Sequence, residues 1–185
     1  MKLHKYHGLG NDYLVLDSRD HPKLPDPETV RRVCDRNRGA GSDGILWGGP
    51  PNDHGHFPLR IFNPDGSEAE KSGNGLRIFA RFLWDGQAIG ETPFTIETPG
   101  GRVEAQVLEQ GRLVIVEMGS VSFDSRQIPV AGDAREVVDE PIAVLGEELR
   151  YTAVTIGNPH CVVLCREELD NLHEMLMARE VVHGA

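Results

Sequence analysis

Hydrophobic residues in this chain fall in short runs, and glycine, proline, asparagine and aspartate separate them. Residues 3–6 and 13–17 predict two strands around the loop HGLGND. Asp26 then caps a helix with Pro27 at its first position; Val30, Val33 and Cys34 form its apolar stripe and Gly39 is its expected end. The glycine-rich loop 38–44 leads into a strand over 45–47. A further strand over 57–62 stops at the turn Asn63-Pro64-Asp65-Gly66.

The next segment, 73–84, changes the pattern. Leu76, Ile78, Phe79, Ala80, Phe82, Leu83 and Trp84 leave only Arg77 and Arg81 as a polar edge, so this helix is expected to be buried on most sides. Strands are expected over 94–97, 102–108, 112–117, 136–138, 142–144, 149–156 and 161–164. A last helix is expected over 167–177, with Leu169, Leu172 and Leu176 on one face. Many strands and few helices, one of them wrapped by sheet, give an α+β class rather than an alternating parallel α/β sheet. Little sequence follows the last helix to cover its stripe. Either a partner covers it or a second domain is incomplete.

Composition narrows the function classes. With 185 residues the chain suits one large domain or two small ones, and Gly 21 with Pro 12 makes it rich in turns. Lys+Arg 19 against Asp+Glu 29 gives a net charge of −10, which argues against nucleic-acid binding by phosphate neutralisation. An acidic substrate remains compatible, because a few local donors can hold a carboxylate. No apolar run approaches the ~18 residues that span a bilayer, and MKLHKYHGLGNDY lacks a signal-peptide core. The cysteines, Cys34, Cys161 and Cys165, have no disulfide-framework spacing, so a reducing, cytoplasmic location is expected. Cys161 and Cys165 share an apolar strand-like run, where burial is favoured over a metal role.

Three glycine-flanked segments could carry chemistry. The sharpest is Ser72-Gly73-Asn74-Gly75, which opens the apolar helix. Free backbone N–H groups with small side chains around them could hold a carboxylate or phosphate; equally, Ser72 could be an ordinary N-cap and the glycines a turn. The others, Gly8 to Tyr13 and Gly157 to His160, read singly as turns. Together they put Asn11, Asn63, Asn74 and Asn158 in loops, where amides suit a zwitterionic ligand.

The stretches HGLGNDYLVLD, GAGSDGIL, FNPDGSEAEKSGNGLRIFA, TIETPGG and TIGNPHCVV, in this order, resemble the diaminopimelate epimerase family. The resemblance implies two pseudo-symmetric halves, each a mixed sheet around a central helix. The first would be residues 1–118, with its central helix from about residue 73; 119–185 would be the start of an incomplete second half. It also implies cofactor-independent, metal-free epimerisation of LL- to meso-diaminopimelate, a step towards lysine and peptidoglycan. Asn11, Asn63, Gly73, Asn74 and Asn158 match substrate-binding positions. The family's first catalytic cysteine, expected immediately before Gly-Asn-Gly, is Ser72 here, and a frequent glutamine is Gly44. The second catalytic cysteine belongs to a later segment than this sequence reaches.

Serine has no accessible anion near neutral pH, so as a base it needs an activating neighbour. His160 is one candidate and a plain turn residue otherwise. Cys161 is expected to face the core. Two further readings stand beside the epimerase. One is a catalytically weak or inert amino-acid-binding module, and the other is an isomerase of this fold with a different substrate. Self-association through an uncovered second half is also expected.

Overall fold

The computed structural model describes residues 2–144 and 147–164, and the chain divides into two units, Met1–Gly119 and Ser120–Ala185. The first unit opens with β1 (His4–Gly8) and β2 (Asn11–Asp17). The tight turn between them has Leu9 and Gly10 at φ 54° and 90°, a geometry that matches the twist of paired strands. The hairpin therefore runs closer to its tip than the sequence pattern implied.

α1 (Pro27–Cys34) is capped by Asp26, whose carboxylate accepts from the Thr29 amide at 2.9 Å. It ends at Cys34 rather than at Gly39. Asp35 turns to ψ 119° and its carboxylate accepts the amides of Asn37 and Arg38 at 2.8 and 2.9 Å. This local bond offers the backbone an alternative to another helical turn.

β3 (Ile45–Gly48), β4 (Phe57–Phe62) and the short β5 (Glu68–Ala69) precede α2 (Gly73–Asp85), and β6 (Phe94–Thr98), β7 (Gly101–Leu108) and β8 (Leu113–Val116) follow it. The sheet order is β1-β2-β3-β4-β6-β7-β8, with β5 beside β4. The β2–β3 and β4–β6 pairs are parallel and the rest antiparallel, so the sheet is mixed. β5 was not foreseen; two residues carry no period, and only pairing with Ile61 and Phe62 defines it.

The sheet curls around α2, which packs against β1, β2 and β3 at one end and β7 and β8 at the other. Leu76, Phe79 and Ala80 are fully enclosed and Leu83 is buried, as the apolar pattern of this helix required. Alternation along β2 serves two cores. Tyr13 and Val15 face α2, while Leu14 and Leu16 face Val30 and Cys34 of α1. At Gly48 a Cβ would stand 2.5 Å from the Phe79 ring, so only glycine lets the helix seat this close to β3.

In the second unit, β9 (Glu140–Val144), β10 (Glu147–Thr155) and β11 (Pro159–Val163) form an antiparallel sheet in the order β11-β10-β9. Ile128, Val137 and Ala153 form its buried cluster. The strand expected over 136–138 is absent. Glu136 makes one isolated bridge to Asp124, and Asp139, at φ 52°, redirects the chain directly afterwards. His160 is in β11 opposite Val154, not in a turn; the turn is 156–158, with Gly157 at φ 115°. Cys161 is exposed, against expectation, because β11 is at the edge of the sheet formed by the described residues and is largely open to solvent. Cys165 and the helix expected over 167–177 lie outside the described residues. Among the described residues no helix is long and apolar enough to cross a membrane.

Candidate functional site at the start of the central helix

Ser72 precedes α2 in an extended conformation, and its Oγ accepts the Gly75 amide at 3.1 Å. It is therefore an N-cap, which satisfies one of the amides that an α-helix leaves without partners at its start. No acidic side chain occupies the first turn, so the positive end of the helix dipole is not offset by a carboxylate of the helix itself. Gly73, the first helical residue, carries no side chain over that end. The Arg77 guanidinium folds back towards it, Nη1 lying 3.3 Å from where a Cβ on Gly73 would be.

Asn74 donates from Nδ2 to Asn11 Oδ1 at 3.3 Å, and Asn11 donates from Nδ2 to Asp43 at 3.0 Å. The hairpin of β1 and β2, the loop before β3 and the start of α2 are thus joined by one chain of side-chain bonds. Each amide has a further donor or acceptor position left for a ligand.

Behind Asn11 lies a balanced charge cluster. Arg36 Nη2 reaches both Asp12 Oδ1 and Asp43 Oδ1 at 2.6 Å, Lys5 lies 3.0 Å from Asp12, and the Asp12 amide donates to Asp43 at 3.0 Å. The Arg36 hydrogen bonds, helped by Lys5, hold the Asp12 carboxyl well below the ordinary carboxylate range despite its burial. The same bonds push Arg36 up, so both partners stay charged.

Tyr13 completes the cluster, its hydroxyl 3.3 Å from Ser72 Oγ. Gly44 provides the room. A Cβ at that position would stand 2.7 Å from Tyr13 Cε1 and 2.5 Å from the Phe62 carbonyl oxygen. A side chain here, such as the family's frequent glutamine, therefore requires both the Tyr13 ring and the Phe62 carbonyl to shift.

The residues singled out in the sequence are thus distributed unevenly. Asn11, Ser72, Gly73 and Asn74 come together. Asn63 terminates β4 in its own turn, where it donates to Ser67 Oγ at 3.0 Å and not to Asn11 or Asn74. Asn158 is in the 156–158 turn of the second unit. Among the described residues of the first unit, no thiol takes part in the cluster. Cys34 is buried beneath α1 beside Ser42, and burial pushes its thiol up. Among the described residues no group of three or more His, Cys, Asp or Glu is arranged to hold a metal ion.

Sequence reasoning missed Tyr13, Asp12, Arg36 and Asp43. A signal existed for Tyr13: alternation puts it on the α2 face beside Val15, and a buried phenol needs a polar partner. The salt-bridged cluster has no such local signature, since its members are 24 and 31 residues apart in the chain.

The arrangement offers amides and a helix start to a carboxylate, neutral side-chain amides to an ammonium or carboxylate, and a hydroxyl at the point of entry. The diaminopimelate epimerase family model matches residues 3–123. Diaminopimelate epimerase 2 of Nostoc sp. is 57% identical over 164 residues, covering 89% of this chain and 58% of the relative. A Synechococcus sp. diaminopimelate epimerase is 43% identical over 183 residues, covering 96% and 63%. The chain thus spans roughly three-fifths of the curated relatives it matches. In fold it is similar to a crystallised hydroxyproline epimerase from Agrobacterium vitis, with a TM-score of 0.62 at 21% identity, over 87% of this chain and 50% of that one. Motifs, wrapped central helix and sequence identity converge: the chain belongs to the diaminopimelate epimerase family.

Proposed function

We propose that this protein interconverts LL- and meso-diaminopimelate by cofactor-independent proton exchange at the α-carbon. The observation that carries this reading is the Asn11–Asn74 pair beside Ser72 at a donor-rich helix start. In this reading the first amides of α2, at Gly73 and Asn74, bind the α-carboxylate and stabilise the charge that develops when the α-proton leaves. Asn11, Asn63 and Asn74 recognise the amino-acid groups, and Ser72 is the proton-transferring group on one face. The substrate is a small amino acid, not a nucleic acid. The reaction belongs in the cytoplasm, in keeping with sparse, unpaired cysteines. Self-association would use the second unit, where Val162 and Leu164 are exposed.

A second reading is favoured by Ser72 itself. A hydroxyl in place of a thiol leaves the amino-acid-binding groups intact but weakens proton transfer, so the protein would bind without turning over. A third reading keeps the chemistry and changes the amino acid.

Proton exchange in heavy water separates them. Diaminopimelate, lysine, proline and hydroxyproline are offered separately, and deuterium at the α-carbon is followed by NMR. Incorporation into diaminopimelate alone is the expected result. Saturable binding without incorporation would establish the binding module, and incorporation only into another amino acid would overturn the substrate assignment. Ser72→Ala is expected to leave binding nearly intact and to abolish exchange.

A further inference from the structure

We propose that Tyr13 is a positioning residue for Ser72: its hydroxyl and the Gly75 amide form a two-donor cradle for negative charge on the side-chain atom at position 72. The idea deepens the epimerase reading and rests on it for its catalytic meaning, though not for its geometry.

A serine hydroxyl accepts two hydrogen bonds and donates one. At Ser72 one acceptor position is taken by the Gly75 amide, 3.1 Å away. The Tyr13 hydroxyl stands at 3.3 Å, where either oxygen is able to donate. The phenol is the stronger acid and so the better donor. When Tyr13 donates, both acceptor positions of Oγ are filled and its own proton is left to point elsewhere. Loss of that proton to a hydroxide ion from solvent, which becomes water, leaves an alkoxide held by two donors at the positive end of α2. This is the activation that a lone serine lacks.

The cradle is built before any ligand arrives. Tyr13 is only 6% exposed, its backbone is fixed by pairing with Tyr6, and its ring fills the space that the missing side chain of Gly44 leaves. A donor locked this way costs no reorganisation when charge appears. In the exchange step the Cα–H bond breaks and an O–H bond forms on Ser72. The electron pair stays on carbon, and return of the proton, or of a deuteron after exchange with solvent, reverses the step. Negative charge moves from oxygen to carbon and back; solvent is the acceptor of the serine proton and the source of the deuteron.

The test uses a titratable reporter. Ser72→Cys is made in the 185-residue chain with Cys161→Ser and Cys165→Ser, leaving the buried Cys34 as the other thiol. Thiolate absorbance and iodoacetamide reactivity are followed against pH, with and without Tyr13→Phe. Tyr13→Phe removes one oxygen and keeps the ring, and tryptophan fluorescence checks that each variant folds. The introduced thiol is expected to titrate below the ordinary ~8.5. Tyr13→Phe should raise its midpoint by about one unit, the size of one hydrogen bond to a charged group. An unchanged or lowered midpoint overturns the proposal.

Should the triple variant fail to fold, Tyr13→Phe alone is measured by deuterium exchange into diaminopimelate. A loss of tenfold or more in kcat at unchanged KM is expected, and an unaltered rate overturns the proposal. The two ideas fail separately. A shifted thiol with no exchange in the unmodified chain sinks the epimerase reading and keeps the cradle. Exchange with no response to Tyr13→Phe in either measurement does the reverse.

Discussion

The two units of this chain solve the same problem, covering an apolar sheet face, with different means. In Met1–Gly119 the sheet curls around α2 and is backed on its outer side by α1, so β2, β3 and β4 lie between two cores. In Ser120–Ala185 a smaller antiparallel sheet has a buried cluster of Ile128, Val137 and Ala153, while Val138, Val162 and Leu164 are 52%, 43% and 87% exposed. The difference teaches where precision resides. A group placed at the start of α2 inherits the rigidity of a helix enclosed by sheet. A group in the 156–158 turn is carried by strands that, among the described residues, are buried along one small cluster. Asn11, Asn74 and Ser72 are of the first kind and Asn158 is of the second.

The contrast is broken most forcefully at Phe79. Phe79→Ala removes the largest fully buried side chain and should cost the first unit about 3–5 kcal/mol. Both tryptophans, Trp47 and Trp84, are in that unit. Fluorescence during urea unfolding should therefore show an earlier transition, while amide exchange in β10 stays as it was. Equal loss of protection in both units would mean that they unfold as one.

Asp12→Asn comes next, at about 2 kcal/mol, because it removes the charge from a carboxylate that accepts from Arg36 and Lys5, although both cations are about half exposed. The sign with pH follows from the depressed Asp12 carboxyl. Its contribution is complete above the ordinary carboxylate value of ~3.9 and fades as pH falls below that towards its folded value. The parent chain should lose stability on acidification below about pH 4 more steeply than Asp12→Asn does. Parallel acid limbs in the two proteins would remove Asp12 from the account.

Val137→Ala probes the other side of the comparison. It should cost about 2 kcal/mol and speed amide exchange in β10 without moving the tryptophan transition. Smallest of all is Ser72→Ala, expected to cost about 1 kcal/mol as a lost N-cap and to loosen exchange only at the Gly75 amide and its neighbours. A destabilisation as large as that of Phe79→Ala would give Ser72 a structural role well beyond capping.

How far this was legible in the sequence depends on the range of the interactions. α2 announced itself because its apolar residues occupy nearly the whole circumference, a property that local sequence carries. The strands from β2 to β4 were equally plain as short apolar runs bounded by turn residues. The end of α1 was misjudged because Asp35, not Gly39, stops it through its own side chain. The expected strand at 136–138 failed because Asp139 adopts a left-handed conformation that nothing in its type demanded. At the site, motif spacing led to Asn11, Ser72 and Asn74. The contact between Tyr13 and Ser72 spans 59 positions, and the charge cluster behind Asn11 depends on a loop meeting a hairpin. Such partners are chosen by the fold, and only a patterned or shared feature, like the face on which Tyr13 stands, hints at them in advance.

The empty space at Gly44 constrains the history of this chain as well as its structure. A first carbon there meets the Tyr13 ring at 2.7 Å and the carbonyl of Phe62 at 2.5 Å. One obstacle is a side chain that substitution can shrink; the other is backbone, which no substitution at that position deletes. Position 44 is therefore reachable only along an ordered path, with Tyr13 reduced and the end of β4 displaced before a side chain is gained. A library that varies 44 alone should return glycine. One that varies 13 and 44 together with residues around Phe62 should return side chains at 44 only where the tyrosine has gone. Three neighbouring positions that look independent in the one-letter string are, for selection, a single locus.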